Sequence, residues 1–289
     1  MQLTIDLRHD LDVAIAGELQ VWGHVASDNE KPLDRYCLWF EMMEREIPLK
    51  PYRVQRSQEL QSSSEAQRLA FVLSEIETVF HGGLSVAPYL SARAAKLGKT
   101  GRDHMLLHWG IRHLHLSPIS TKRPNGLVAR ADELLFFRIA GDVVYFIGIL
   151  PHADPSAFER KGLLEVVERN WPHLHHRLRT GYAERELNPT ERRALRRGNV
   201  MHMEEIDGKL IMPTFGVSTA GSPIDATRAF DRQQLQLLDL ERMLRSQPAD
   251  VFPEIAEFES AHVRLKGMWE YGFDLVETLT GLERRVQIL

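Results

Sequence analysis

Residues 133–152 read ELLFFRIAGDVVYFIGILPH, and this stretch decides the fold. Apolar side chains fill 134–139 and 143–150, and only Ala140-Gly141-Asp142 separates the two runs. A link that short joins antiparallel neighbours, so the stretch predicts a β-hairpin. Apolar residues occupy both faces of each run, which predicts strands buried on both sides. The turn, with Arg138 and Asp142 inside the apolar run, argues against a membrane span.

Immediately upstream, IRHLHLS at 111–117 alternates polar and apolar side chains with the period of a half-buried strand. His113 and His115 are expected to share one face, and Leu114 and Leu116 the other, toward the core. The hairpin itself ends on His152. Eight of the thirteen histidines lie between 104 and 176. Imidazole exchanges protons near neutral pH and binds metals through a neutral nitrogen, so repeated His at strand ends marks a candidate site. The connection SPISTKRPNGLVARAD at 117–132 is longer than a usual hairpin loop and carries Lys122, Arg123 and Arg130.

Further out, the first hundred residues show mostly helical patterns, in 33–46 (LDRYCLWFEMMERE), in SEAQRLAFVLSEIETVF after a serine-rich cap, and in 85–98. HMLLHW at 104–109 continues as a helix that Gly110 breaks. Downstream, Asp154-Pro155 opens a helix through 171, and Asn188-Pro189 and Gly198 bound a short arginine-rich one. Asp207-Gly208 turns a hairpin, 226–247 forms a long amphipathic helix, and Thr280-Gly281 turns a last hairpin. The expected class is α+β: a helical N-terminal region (1–100), a central antiparallel sheet module with flanking helices (101–180), and a C-terminal region of hairpins and a long helix (181–289).

The 289 residues, 43% hydrophobic and 26% charged, have the composition of a soluble globular protein. Cys37 is the only cysteine, which excludes an intramolecular disulfide, and its aromatic neighbours suit a buried, inert thiol. The start MQLTIDLRHDLD lacks the basic and apolar regions of a secretory signal, so a cytoplasmic protein is expected, with no membrane partner. A net charge of −4 gives no overall attraction to a polyanion. Arg192, Arg193, Arg196 and Arg197 alternate with Glu184, Glu186 and Glu191, which favours a self-paired surface over a nucleic-acid footprint.

The succession IRHLHLS, ELLFFRIAGDVVYFIGILPH and DPSAFERKGLLEVVER resembles the core of the RelE/ParE superfamily of small bacterial toxins, most of all its HigB-type branch. The resemblance covers about 70 central residues and consists of strand and turn patterns. It implies a compact twisted sheet presenting catalytic side chains on one face; many members cleave ribosome-associated mRNA without a metal, and others inhibit gyrase. A strand that usually ends in a basic residue ends here with His113 and His115, and a position often occupied by Lys is His152. The rest of the chain has no counterpart there, and the loop carrying Lys122 and Arg123 is far longer than in that family.

A metal-independent ribonuclease needs a base for the ribose 2′-hydroxyl, an acid for the departing 5′ oxygen, and cations for the phosphorane-like charge. His113 or His115 is the candidate base, His152 the candidate acid, and Lys122, Arg123 and Arg138 the candidate phosphate-binding cations. No cofactor is expected. The competing reading of the same histidines is structural, as strand residues satisfied by water or backbone. A third assigns His113, His115 and His152 to a catalytic zinc backed by Asp103, Asp132 or Asp154. Arg102 and His108 also resemble the Arg-x(4–6)-His motif of HEPN-type ribonucleases. The expected function is an RNA-cleaving bacterial effector, in toxin or phage defence, whose expected partner is RNA, with a protein antitoxin or a second copy as further candidates. The alternatives are a non-enzymatic protein-binding or inhibitor module and a His-ligated metal-dependent nuclease.

Overall fold

The computed structural model describes residues 2–25, 27, 29–91, 103–154, 161–178, 185–198, 200–218, 221–269 and 272–287. Its elements run β1 (Gln2–Ile5), α1 (Leu7–Val21), α2 (Pro32–Arg45), β2 (Arg53–Arg56), α3 (Gln58–Ser62), α4 (Ser64–Arg68), α5 (Ala70–His81), α6 (His104–Trp109), β3 (Arg112–His115), β4 (Glu133–Ala140) and β5 (Val143–Pro151). There follow α7 (Gly162–Asn170), β6 (His176–Leu178), α8 (Pro189–Arg197), β7 (Glu204–Ile206), β8 (Lys209–Met212), α9 (Ile224–Ser246), α10 (Pro248–Val251), β9 (Ser260–Trp269), β10 (Gly272–Glu277) and β11 (Leu282–Gln287). The class is α+β, with helices and hairpins interleaved along the chain. No helix among the described residues is long and apolar enough to cross a membrane.

The chain divides into two compact units, Met1–Phe40 with Asp225–Leu289, and Glu41–Ile224. These boundaries do not follow the three consecutive regions expected from sequence. The physical reason is β1, which pairs parallel with β9 and so joins the two ends of the chain in one sheet of order β1-β9-β10-β11. A parallel pairing between distant segments leaves no local signature, unlike a hairpin with its turn. In this unit Leu7, Leu11, Ile15 and Leu19 repeat every four residues and form the buried stripe of α1. Glu241 of α9 accepts from Leu7 N at 2.8 Å, capping that helix, and Asp10 accepts from Leu265 N of β9 at 2.9 Å.

The unit 41–224 is built on a four-stranded sheet of order β2-β5-β4-β3. The expected hairpin is β4 and β5, paired antiparallel from Glu133↔Pro151 to Ala140↔Val143, with a register shift between Phe136 and Phe137. Gly141 takes φ +58 at its turn, a backbone conformation that favours glycine. Both faces are covered. Leu135, Phe137, Val144 and Phe146 pack with α5 residues such as Leu73, Ile76 and Phe80. Leu134, Phe136, Val143, Tyr145 and Ile147 pack with Trp109, Leu163, Val167 and Trp171. That double burial explains why these strands read as continuous apolar runs.

Local signals elsewhere in this unit behave as expected, with two shifts. The helix expected over 64–80 is interrupted at Leu69, dividing it into α4 and α5, and Ser63 caps the first part through Oγ accepting from Ala66 N at 3.0 Å. Asn188 Oδ1 accepts from Glu191 N at 3.0 Å while Glu191 accepts from Asn188 N at 2.8 Å, a reciprocal cap on α8. Asp207 and Gly208 take φ 50 and φ 72, the two left-handed positions of a tight hairpin turn between β7 and β8. The second shift is at 85–98, expected as a helix, where the described half carries only a 3-10 turn at Ala87–Tyr89; residues 92–98 and the expected start of α7 at 155–160 lie outside the described residues.

Candidate active site

Strand parity places the histidines as expected. In β3, His113 lies opposite Phe136, Leu114 opposite Leu135, and His115 opposite Leu134. Leu114 is fully buried in the cluster that contains Leu135, and the two histidines project to the face of Leu134 and Phe136. This face is not the open one that a half-buried strand suggested. His115 is only 7% exposed, because apolar layers cover the sheet on both sides.

His115 and His152 come together. Their rings stack with centroids 5.4 Å apart and 21° between planes. His152 follows directly on β5, and its N–H donates to Asp132 O at 2.6 Å, which fixes the backbone where the hairpin meets the 117–132 loop. Arg130, from that loop, places Nη2 3.1 Å from His152 Nδ1. The same Nη2 lies 3.4 Å from Nε2, and because a guanidinium only donates, the ring nitrogen that takes the contact is the unprotonated one. Burial lowers the His115 pKa to about 4, with His113, His152 and Arg130 adding to the effect. His115 is therefore neutral at pH 7, and its Nδ1 is buried without a hydrogen-bond partner.

His113 has other neighbours. Its Nδ1 is 3.7 Å from Asp103 Oδ2, and its ring sits 6.0 Å from that of Phe136. Asp103 is the N-cap of α6, accepting from Met105 N and Leu106 N at 3.1 Å each. His113 thus faces the start of that helix, one pleat along from the stacked pair.

Of the three cations expected to bind phosphate, none is at the pair. Lys122 and Arg123 are exposed in the loop and share no hydrogen bond or ion pair with the histidines. Arg138 lies opposite Tyr145, four residues along β4 from the partner of His115, or about 13 Å at the usual strand rise. It is buried there against Thr214. Arg130 takes the place assigned to them. The loop was legible as a carrier of cations, but choosing among its three required knowing that the chain returns to β4 through Asp132.

Among the described residues, no group of three or more His, Cys, Asp or Glu side chains is arranged to hold a metal ion. The zinc reading of His113, His115 and His152 therefore has no geometry behind it among those residues. Of the HEPN-like pair, Arg102 lies outside the described residues, and His108 is buried beside His202 with ring centroids 6.3 Å apart. Arg192 of the arginine-rich helix is buried and paired with Glu204 through Nε at 2.6 Å and Nη2 at 3.1 Å. Val217 and Pro223 form an isolated antiparallel bridge. Comparison with protein-family models, with curated proteins and with solved structures finds no match for the chain.

Proposed function

We propose that the protein cleaves RNA by metal-independent acid/base chemistry at the His115–His152 pair. The observation that carries this reading is the stack of the two imidazoles with Arg130 beside them: two proton carriers and a cation within one small volume. A toxin-like or defence role follows from the resemblance to RelE/ParE proteins, and RNA is the partner it implies.

His115, neutral at pH 7, takes the ribose 2′-hydroxyl proton through Nε2, since Nδ1 is buried. The 2′ oxygen bonds to phosphorus as the P–O5′ bond breaks, and the departing oxygen takes a proton from His152. In the free protein the Arg130 guanidinium lies beside the ring nitrogens of His152. A bound phosphate draws the guanidinium to itself and favours the imidazolium, which readies His152 as the acid. The products are a 2′,3′-cyclic phosphate and a 5′-hydroxyl.

The test is to incubate the full chain with RNA of mixed sequence, with and without chelator, and to identify the new ends. The reading predicts cyclic phosphates formed equally in both. Linear 5′-phosphate products lost on chelation would replace it with the metal-dependent alternative. The non-enzymatic alternative draws on a different observation: β2 and β3 are the edges of their sheet, positions that suit a partner's added strand. Stable capture of a protein partner with no RNA cleavage would favour it.

A further inference from the structure

β11 ends the sheet β1-β9-β10-β11, and among the described residues it pairs only with β10. Its six residues make it longer than the other strands that end a sheet there, β1, β2, β3, β6 and β7. An edge of that length offers unpaired backbone groups, which natural sheets protect with proline, bulges or charge. β11 has no proline, and its register with β10 runs unbroken from Gly272↔Gln287 to Glu277↔Leu282. Charge is the remaining device, and here the charges on the solvent face are of opposite sign. Leu282, Arg284 and Val286 are half-buried, while Glu283, Arg285 and Gln287 are exposed.

The backbone of this edge is set for pairing. The Glu283 carbonyl accepts from Arg284 Nη1 at 2.8 Å, so it stands outside the β10 ladder and faces the open side. Alternate residues of an antiparallel strand point their backbone groups the same way, so those of Glu283, Arg285 and Gln287 face outward. A second β11 laid antiparallel, with Arg284 opposite Arg284, sets Glu283 opposite Arg285 on each side of the two-fold axis. Both residues bring outward-facing groups to that register. The Arg285 N–H then donates to the Glu283 carbonyl that Arg284 covers in the single chain, and the Glu283 N–H donates to the Arg285 carbonyl.

The side chains fit the same register. Arg285 is held by Asp274 through Nε at 2.8 Å and Nη2 at 3.0 Å, and Glu283 by Lys266 at 2.5 Å. Pairing therefore lines up Asp274, Arg285, the second copy's Glu283 and the second copy's Lys266, a row in which every neighbour has the opposite sign. On the other face Leu282 meets the second copy's Val286. Arg284 meets its own copy at the axis, where its charge is already balanced by an ion pair with Glu254 and its guanidinium lies 5.8 Å from the centre of the Phe252 ring. The edge strand β2 offers no such fit, since self-pairing of Arg-Val-Gln-Arg sets Arg53 against Arg56.

We propose that β11 pairs antiparallel with the β11 of a second copy of this chain, joining two four-stranded sheets into one through a contact that is the same on both sides. Six residues a side is fewer than the about 20–30 of a standard interface, so the dimer is a reversible one. The pairing stands apart from the His115–His152 site and does not depend on RNA cleavage.

The experiment is sedimentation velocity on the full chain from about 1 to about 200 μM, with thermal melting as the control for folding. The dimer fraction should rise with concentration and fall with added salt. Glu283→Ala and Arg285→Ala should each raise the dissociation constant by roughly 2–30-fold, because each removes two symmetric cross-strand pairs. Arg284→Cys places its thiol opposite its own copy, with Cα atoms about 4.5 Å apart, and mild oxidation should link the dimer through a disulfide. Gln287→Cys, about 20 Å from its copy in this register, should stay unlinked. Cys37 is buried and does not compete. Where Arg284→Cys does not fold, a mixture of Glu283→Cys and Arg285→Cys chains carries the same test, with facing Cα atoms about 5.5 Å apart. A monomer at every concentration, or a dimer that Arg284→Cys links no faster than Gln287→Cys, would overturn the pairing.

Discussion

The imidazoles of His115 and His152 lie face to face, one on the edge strand of a sheet and the other just past the end of the strand two places away. β4 lies between their strands and is covered on both faces, so the pair meets at the rim of the sheet and not on an open surface. Burial at that rim keeps His115 neutral, and Arg130 brings a positive charge to the side that faces solvent.

Leu114→Ala should damage stability and not chemistry. The side chain is fully buried among Leu135, Phe137 and Phe146, so truncation should cost about 2–5 kcal/mol. Thermal melting measures the loss. Cleavage per folded molecule, measured well below the melting temperature, should be unchanged.

Acid should unfold the protein earlier than its carboxylates alone require. His115 and His175 have folded pKa values of about 4 against an ordinary 6.5. As pH falls through that window the unfolded chain binds protons that the folded chain refuses, so stability drops. The paired carboxylates Glu168 and Glu204, whose folded pKa values are lowered, lose their contribution only as pH falls below their ordinary 4.5. The loss between pH 6.5 and 5 therefore reports the histidines. Melting temperatures across that range should fall less steeply in His115→Gln and in His175→Gln; unchanged slopes would show that burial does not hold these rings neutral.

The cations should separate by position. Arg130→Ala removes the charge at His152 and should lower cleavage by roughly 10²–10³-fold, the scale of lost transition-state charge stabilisation. Lys122→Ala and Arg123→Ala, exposed and away from the pair, should change it little. Initial rates on one RNA at fixed salt give the comparison, and equal losses in all three variants would point to general attraction of the polyanion.

Arg192→Ala leaves Glu204 buried without its bidentate partner, and breaking such a pair costs about 3–5 kcal/mol. A lower denaturation midpoint with unchanged salt dependence of RNA binding is the expected result. A reduced salt slope would mean that Arg192 contacts phosphate.

Local order was legible in the sequence and long-range order was not. The turns at Gly141, Asp207-Gly208 and Gly281 each identified a hairpin, because a two-strand unit and its turn lie in one short window. The parity of His113, Leu114 and His115 was equally readable. What escaped were β1 and β2, four residues each, which join their sheets by parallel pairing with β9 and β5 far along the chain. For the same reason Arg138 looked like a neighbour of the histidines. A period of two gives the face on which a residue lies, and it does not say how far along the strand its partners are.

The most direct test compares RNA cleavage and thermal melting for the unaltered chain, His115→Ala, His152→Ala and His113→Ala in the presence of chelator. The acid/base account predicts cleavage by the unaltered chain and losses of about 10²–10⁴ in rate for His115→Ala and His152→Ala with their folds retained. His113→Ala, set against Asp103 and Phe136, should keep most of its activity. Full cleavage by both stacked-pair variants, or no cleavage of any RNA by the unaltered chain, would contradict the account.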